Sequence, residues 1–247
     1  MKGSAQDVSR YNSGECFNLM LNPMLGYQAK AFVWYQGESN SVTKASESEQ
    51  KETAELYEYA LLSMIKDIRN KWNDQSLPFI IVQLPNYEKE TYDYSYTREA
   101  QYDVCSTDNY SYIVSTLDIG DDYDIHPKNK QAFADRICLS LLQNIYGSEI
   151  ISIPSLSNVS LNGSMVSLVF DNIGDGLSIV GNGGFEIAGG DGVFYPATIE
   201  ISNNTVRLFN SNIDNPAFVR YAHMKIPVDY VRNSLDIPIP AFSYTLN

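Results

Sequence analysis

The stretch AFVWYQGESN at residues 31–40 joins a short β-rich run to a polar turn that contains a glycine. Two further runs rich in β-branched and aromatic residues follow at 79–84 and 112–117, and helical patterns fill the intervals between them. Alternation of this kind is typical of parallel strands joined by crossover helices. The sequence therefore predicts an α/β region with strands at 31–35, 79–84 and 112–117.

Apolar residues at steps of three or four mark the helices of this region. A helix is predicted roughly from Glu49 to Trp72, because its large apolar residues recur on one face. A second strong helix follows Pro127 and stops at Gly147, a residue type common at helix ends. Weaker helical patterns cover residues 15–25 and 97–105.

The pattern changes after Gly147, where helical periodicity disappears. Residues 152–157 form a polar, proline-containing stretch that we interpret as a linker. Short alternating runs around 166–170 and 205–209, with glycine-rich turns between the runs of this half, predict a small antiparallel β-domain. We therefore expect an α/β domain at 1–150 and a C-terminal β-domain at 151–247.

Composition narrows the function classes. The 17 basic and 30 acidic side chains give a formal charge of -13, which would repel a nucleic-acid backbone, so nucleic acid is not an expected partner. The sequence has no apolar run near the roughly 18 to 20 residues that a membrane span needs, and no membrane association is expected. The three cysteines are too few and too widely spaced for a disulfide framework or a zinc cluster, and we expect them to be buried thiols.

The chain has two histidines, so histidine-based catalysis must use one of them. His126 lies in DDYDIHP, residues 121–127, between a predicted strand and a predicted helix, where catalytic groups collect in open α/β sheets. Asp124, two residues earlier, could fix the ring tautomer and stabilise the imidazolium. A loop histidine is more often a plain polar surface residue, and that interpretation stays open. His223 has no acid close in sequence and is interpreted as structural.

The turn after the first predicted strand could bind an oxyanion. Gly37 permits a tight turn whose N–H groups point at developing charge, and the Asn40 amide can add a donor. Any strand-to-helix turn also carries small polar residues. Ser39 resembles a nucleophile elbow only in part, because that turn needs glycine on both sides of its serine and Ser41 occupies the second position.

Arg98 opens the stretch REAQ, residues 98–101, near the start of a short predicted helix. A charged pair on an exposed helical turn is usually solvated. An arginine there could also hold a substrate carboxylate or hydroxyl groups.

Several stretches, taken in order, resemble the sialate O-acetylesterase family, a branch of the SGNH hydrolases. The tryptophan-containing motif and the Asp-Ile-His-Pro stretch make the resemblance fairly specific, and it extends over nearly the whole chain. The matching stretches are 11–14, 31–40, 78–84, 98–101, 117–120 and 124–131, joined by 184–189, 219–222 and 240–242 in the β-domain.

The resemblance implies that residues 1–150 form an SGNH-hydrolase-like α/β domain with a parallel sheet and flanking helices, incomplete at its N-terminus. It also implies removal of O-acetyl groups from sugars such as sialic acid by serine–histidine acyl transfer. It implies that His126 is the general base and that Asp124 is the nearest substitute for the third triad member. It also implies an oxyanion and substrate-binding role for the turn and for the arginine: Gln36, Gly37, Glu38, Asn40 and Arg98. An O-acetylated carbohydrate is the expected partner, no metal or organic cofactor is expected, and the family suggests a secreted or periplasmic location.

The sequence departs from the family pattern in two places. The family nucleophile lies in an upstream Gly-Gln-Ser-Asn segment, and this sequence contains neither that string nor a Gly-Asp-Ser equivalent. Many SGNH enzymes carry their acid three residues before the histidine, where this chain has Tyr123. We therefore expect an inactive or incomplete fragment whose sheet is completed by an upstream segment or a second chain. The alternative is a non-catalytic carbohydrate-binding protein.

Overall fold

A parallel three-stranded sheet forms the first half of the protein, as the strand pattern predicted. The computed structural model describes residues 14–41, 46–88 and 93–246. The strands are β1 (Phe32–Trp34), β2 (Phe79–Val82) and β3 (Ser111–Val114), with β2 in the middle. Each is shorter than predicted at its carboxyl end, because the chain leaves the sheet there to form the loops of the candidate site.

Helices cover both faces of this sheet: α1 (Glu47–Trp72), α2 (Ser95–Thr107) and α3 (Lys130–Asn144). Side chains alternate between faces along β2, so Phe79 and Ile81 pack with α1 while Ile80 packs with α3. The weak helical pattern at 15–25 forms a π-helical turn (Phe17–Leu21) and a 3₁₀ turn (Asn22–Met24) instead of one α-helix. The proline at position 23 supplies no N–H, which disfavours a continuous helix.

Antiparallel sheets make up the second half. The strands are β4 (Ser155–Asn162), β5 (Met165–Asp171), β6 (Ser178–Val180), β7 (Phe185–Ala188), β8 (Phe194–Pro196), β9 (Thr198–Ser202), β10 (Thr205–Phe209), β11 (Phe218–Tyr221), β12 (Tyr230–Arg232) and β13 (Phe242–Thr245). The strand orders of the three sheets are β4-β5-β10-β9, β13-β11-β7-β8 and β12-β6, and apolar side chains of the two four-stranded sheets share one core. The fold class, α/β followed by antiparallel β-structure, is therefore confirmed.

The predicted linker is only partly a linker. Strand β4 begins at Ser155, and Leu156 already pairs with Phe170 of β5. The described helices end at Asn144 and the antiparallel strands begin at Ser155. A domain division at residue 150 agrees with this order and stays a prediction.

Hydrogen bonds join the two halves. The Gln83 side chain donates to the Ala241 carbonyl at 2.9 Å and accepts from the Ala241 N–H at 2.8 Å. The ring of Tyr102 on α2 packs against Phe242 of β13, with centroids 5.3 Å apart. The loop after β2 is therefore fixed against the antiparallel half.

The expectation of buried cysteines is wrong for two of the three. Cys16 and Cys138 are exposed, and Cys105 is half-buried. Cys138 lies on the solvent-facing side of α3. Residues at steps of three or four share one face of a helix, and this residue is on the face turned away from the core. In the part of the chain that the structure describes, no helix has the length and apolar character that crossing a bilayer requires.

Candidate active site

The loops predicted to carry function leave the same edge of the parallel sheet. Because β1, β2 and β3 run parallel, their carboxyl ends meet at that edge. Gln101 of α2 fixes two of these ends together. Its amide donates to the Gln36 carbonyl at 3.0 Å and accepts from the Leu84 N–H at 2.9 Å.

The turn after β1 depends on a glycine. Gly37 is buried and has a φ of +148°, a backbone conformation that side-chain-bearing residues rarely adopt. A Cβ there would lie 3.1 Å from Thr97 Cγ2 and 3.2 Å from Leu84 Cδ1. The glycine therefore lets the turn pack directly onto α2 before the short 3₁₀ helix Glu38–Asn40 begins.

Two polar groups of this turn are already engaged. The Gly37 N–H donates to Glu38 Oε2 at 3.0 Å, and Gln36 Nε2 donates to Asn40 Oδ1 at 2.8 Å. The second bond fixes the orientation of the Asn40 amide, and no described residue accepts a hydrogen bond from its Nδ2. Asn40 Nδ2 is therefore one donor that the turn can offer to a ligand, and the Gly37 N–H becomes available only when the Glu38 carboxylate moves.

An ion pair holds the start of the histidine loop. Arg136 of α3 binds both carboxylate oxygens of Asp118, at 2.6 and 2.8 Å, and donates to the Ser115 carbonyl at 3.0 Å. Both side chains are largely buried, and a two-pronged pair of this kind fixes geometry as well as distance. The loop therefore leaves β3 in a defined direction.

From there the loop crosses the strand ends. Asp122 accepts from the Asn86 amide and, through its carbonyl, from the Glu88 N–H at 2.6 Å, which places it beside the loop after β2. Ile125 then packs in a cluster that includes Tyr35 at the end of β1. His126 follows Ile125 immediately, so the loop has reached this cluster where it presents the histidine.

Asp124 lies beside His126, but the ring makes no hydrogen bond to it. Asp124 Oδ1 accepts from the His126 backbone N–H at 2.9 Å and lies 3.9 Å from the ring Nδ1. The His126 side chain is 88% exposed. Hydrogen bonds between catalytic groups are often long in a free enzyme and shorten when substrate binds. The roles of both residues stay predictions.

Arg98 contradicts the expectation that it contacts substrate. It is fully buried, and burial lowers the pKa of its guanidinium to about 10. Its four hydrogen bonds, of 2.7 to 3.0 Å, go to backbone carbonyls of Leu84, Pro85, Met224 and Lys225. The arginine therefore joins the loop after β2 to the antiparallel half, because these carbonyls accept from four of its five N–H groups.

One group of residues was missed from sequence. His223 Nδ1 lies 2.6 Å from Glu99 Oε1, and the Ser243 hydroxyl donates to the same oxygen at 2.5 Å. The three residues come from α2, the loop after β11 and β13, and 124 positions separate the histidine from its acid. No local sequence pattern reports such a contact.

Comparisons with known proteins agree with this architecture. A family model described as carbohydrate esterase, sialic acid-specific acetylesterase, matches residues 5–134, just over half of the chain. The crystal structure of XAC1771, a carbohydrate acetylesterase from Xanthomonas citri, is 29% identical with a TM-score of 0.80. The match covers 94% of this chain and 53% of that one, so this chain spans about half the length of that protein. A search of curated proteins gave no match. The chain belongs to the sialic acid-specific acetylesterase family of carbohydrate esterases.

Proposed function

We propose that this chain is the histidine-bearing part of an esterase that removes O-acetyl groups from sugars such as sialic acid. The observation that carries the proposal is the path of the loop after β3, which contacts the loop after β2 through Asp122 and packs Ile125, next to His126, into the cluster that includes Tyr35 at the end of β1. The family match and the carbohydrate acetylesterase from Xanthomonas citri support acetyl sugar esters as the substrate class.

In the proposed reaction a serine Oγ attacks the acetyl carbonyl carbon while His126 accepts the serine proton. Asp124 stabilises the resulting imidazolium. Asn40 Nδ2, oriented by Gln36, donates to the developing oxyanion. His126 then returns the proton to the sugar oxygen as the ester bond breaks, and water releases acetate from the acyl-serine in a second cycle.

We propose that the nucleophilic serine is carried by a segment outside these 247 residues, and that this segment pairs with β1. Among the described residues β1 hydrogen-bonds to β2 alone, which leaves its other edge open. Val33 on this strand is 48% exposed. An open apolar strand edge can pair with another chain segment. A strand placed there would lie about 4.8 Å from β1, and we propose that its serine faces His126, whose side chain is exposed.

The first test measures acetate release by this chain alone from p-nitrophenyl acetate and from O-acetylated sialic acid. We expect no turnover above that of buffer, because the chain lacks the family's serine segment. Turnover that disappears in the Ser39→Ala variant would overturn this part of the proposal and identify Ser39 as the nucleophile.

The second test uses a longer form of the protein that carries the upstream segment. Here His126→Ala should lower kcat by about three orders of magnitude or more, as loss of a triad base does. Tyr123→Ala is the control, since Tyr123 lies in the same loop and is 85% exposed, and it should change kcat by less than about tenfold. Equal effects of the two substitutions would mean that His126 is not the base.

The alternative function is sugar binding without catalysis. It is favoured by the engagement of the Gly37 N–H by Glu38 and by the 3.9 Å gap between His126 and Asp124. Binding of O-acetylated sialic acid by the longer form, with no acetate released, would establish it in place of the esterase.

A further inference from the structure

A cavity of about 450 Å³ lies between the two halves of the protein, away from the His126 loop. Helices α1 and α2 form one wall through Lys51, Tyr96 and Glu99, and the β13-β11-β7-β8 sheet forms the other through Phe194, Arg220 and Ser243. Its volume lies in the range that small-molecule sites occupy. Nothing in the proposed esterase reaction uses these residues.

Arg220 is held in place and keeps N–H groups that have no partner among the described residues. Its Nε donates to Glu186 Oε2 at 2.7 Å, and its guanidinium carbon stands 4.0 Å above the ring of Phe194. In the described part of the chain its two terminal nitrogens make no hydrogen bond. A guanidinium fixed on one side by an ion pair and below by an aromatic ring offers its remaining N–H groups without further ordering cost.

The opposite wall supplies acceptors. Glu99 Oε1 binds both His223 Nδ1 and the Ser243 hydroxyl, which leaves Oε2 without a partner among the described residues. His223 is held further by the edge of the Tyr96 ring, with centroids 4.7 Å apart. Its Nε2 likewise has no partner within the described ranges. The cavity therefore presents fixed donors, those of Arg220, and a fixed acceptor, the Glu99 carboxylate, on facing walls.

These groups match a sugar better than they match an ion. Each hydroxyl of a pyranose can both donate and accept, so it can use the arginine and the carboxylate together, while the Phe194 and Tyr96 rings can cover the apolar face of the sugar ring. Three carboxylates, those of Glu47, Glu99 and Glu186, stand around the cavity against two permanent cations, Lys51 and Arg220. This excess of negative charge disfavours an acidic sugar. We propose that the cavity binds a neutral sugar unit of an oligosaccharide.

The test is saturation-transfer difference NMR on the chain with xylotriose and N-acetyllactosamine as neutral probes and trigalacturonic acid as the acidic probe. We expect transfer to at least one neutral probe, with affinity for the acidic probe weaker by about tenfold or more. Arg220→Gln should weaken neutral binding about tenfold, since hydrogen bonds to a charged group are lost. Phe194→Leu, which keeps apolar volume and removes the ring, should weaken it several-fold.

Tyr195→Leu is the matched control. Tyr195 is the next residue of β8, its side chain points to the other face of the strand, and it does not line the cavity. The Tyr195→Leu variant should bind the neutral probes as tightly as the unchanged protein does. The proposal fails if neither neutral probe binds at about 10 mM, if the acidic probe binds more tightly, or if Arg220→Gln and Phe194→Leu bind no more weakly than Tyr195→Leu. Because the readout is binding, the result is independent of whether the chain hydrolyses acetyl esters.

Discussion

Replacing Arg98 by methionine should destabilise the protein more than almost any other single change to a charged residue. The guanidinium is fully buried and supplies four hydrogen bonds to backbone carbonyls, two after β2 and two in the antiparallel half. Each buried acceptor left without a donor costs about 1–3 kcal/mol. The variant also avoids the free-energy cost of burying a charged guanidinium, which offsets part of this loss. We therefore expect the free energy of unfolding to fall by about 3–5 kcal/mol.

Urea unfolding monitored by tryptophan fluorescence and by circular dichroism measures this loss. Both tryptophans lie in the first half, so fluorescence reports that half while circular dichroism reports the whole chain. Arg98→Lys keeps the charge but cannot form the planar fork, and it should also lose stability. Arg207→Met, at an exposed position of β10, is the control and should change stability by less than about 0.5 kcal/mol. A loss below about 1 kcal/mol for Arg98→Met would refute the claim that this arginine holds the two halves together.

Two further substitutions test the packing and the electrostatics of the same region. Gly37→Ala should destabilise the protein by about 1–3 kcal/mol in urea unfolding, because its Cβ meets atoms of three neighbouring side chains; Gly176→Ala, at φ +144° with open space around it, measures the backbone cost alone and should lose less. Burial, and then the charge of two nearby glutamates, raises the pKa of Asp103 to about 7. The folded pKa of Asp103 lies above its unfolded value. The stability that its protonated form contributes is therefore fully present below about pH 4 and is lost as the pH rises through 7. Asp103→Asn should therefore gain stability over the unchanged protein between about pH 4 and 7, reaching roughly 1–2 kcal/mol at pH 8 after allowance for solvent screening. Asp214→Asn, at an exposed site, should show no such trend, and parallel pH profiles for both variants would contradict the assignment.

Regular elements with strong periodicity were predictable from sequence, and their ends less so. The helix expected from Glu49 begins at Glu47, because Ser46 caps it through a reciprocal bond with Glu49. The pattern Ser-x-x-Glu that makes this cap was present in the sequence and could have given the correct start. The strand at 205–209 was predicted with its observed bounds, since apolar and polar residues alternate there between two turns.

Arg98 shows why site residues are harder to predict than elements. From sequence its charge suggested a surface position, because an unpaired arginine is expensive to bury. In the fold its donors meet carbonyls at positions 84, 85, 224 and 225, and two of these are more than 120 residues away. Hydrogen bonds to such distant backbone atoms leave no trace in local pattern. The same reason concealed the contact between Glu99 and His223.

The histidine loop shows what the structure adds to a motif. The Asp-Ile-His-Pro stretch locates a histidine after the third strand, which by itself would place it at the opposite edge of the sheet from the Gly37 turn. The crossing, fixed at its start by Arg136 and at its middle by Asp122, instead carries the loop over the end of β2 and brings Ile125 into the cluster that includes Tyr35. Tyr35 directly follows β1, and no described strand pairs with the second edge of β1. This cluster therefore lies beside the strand to which we propose that the nucleophile-bearing segment adds.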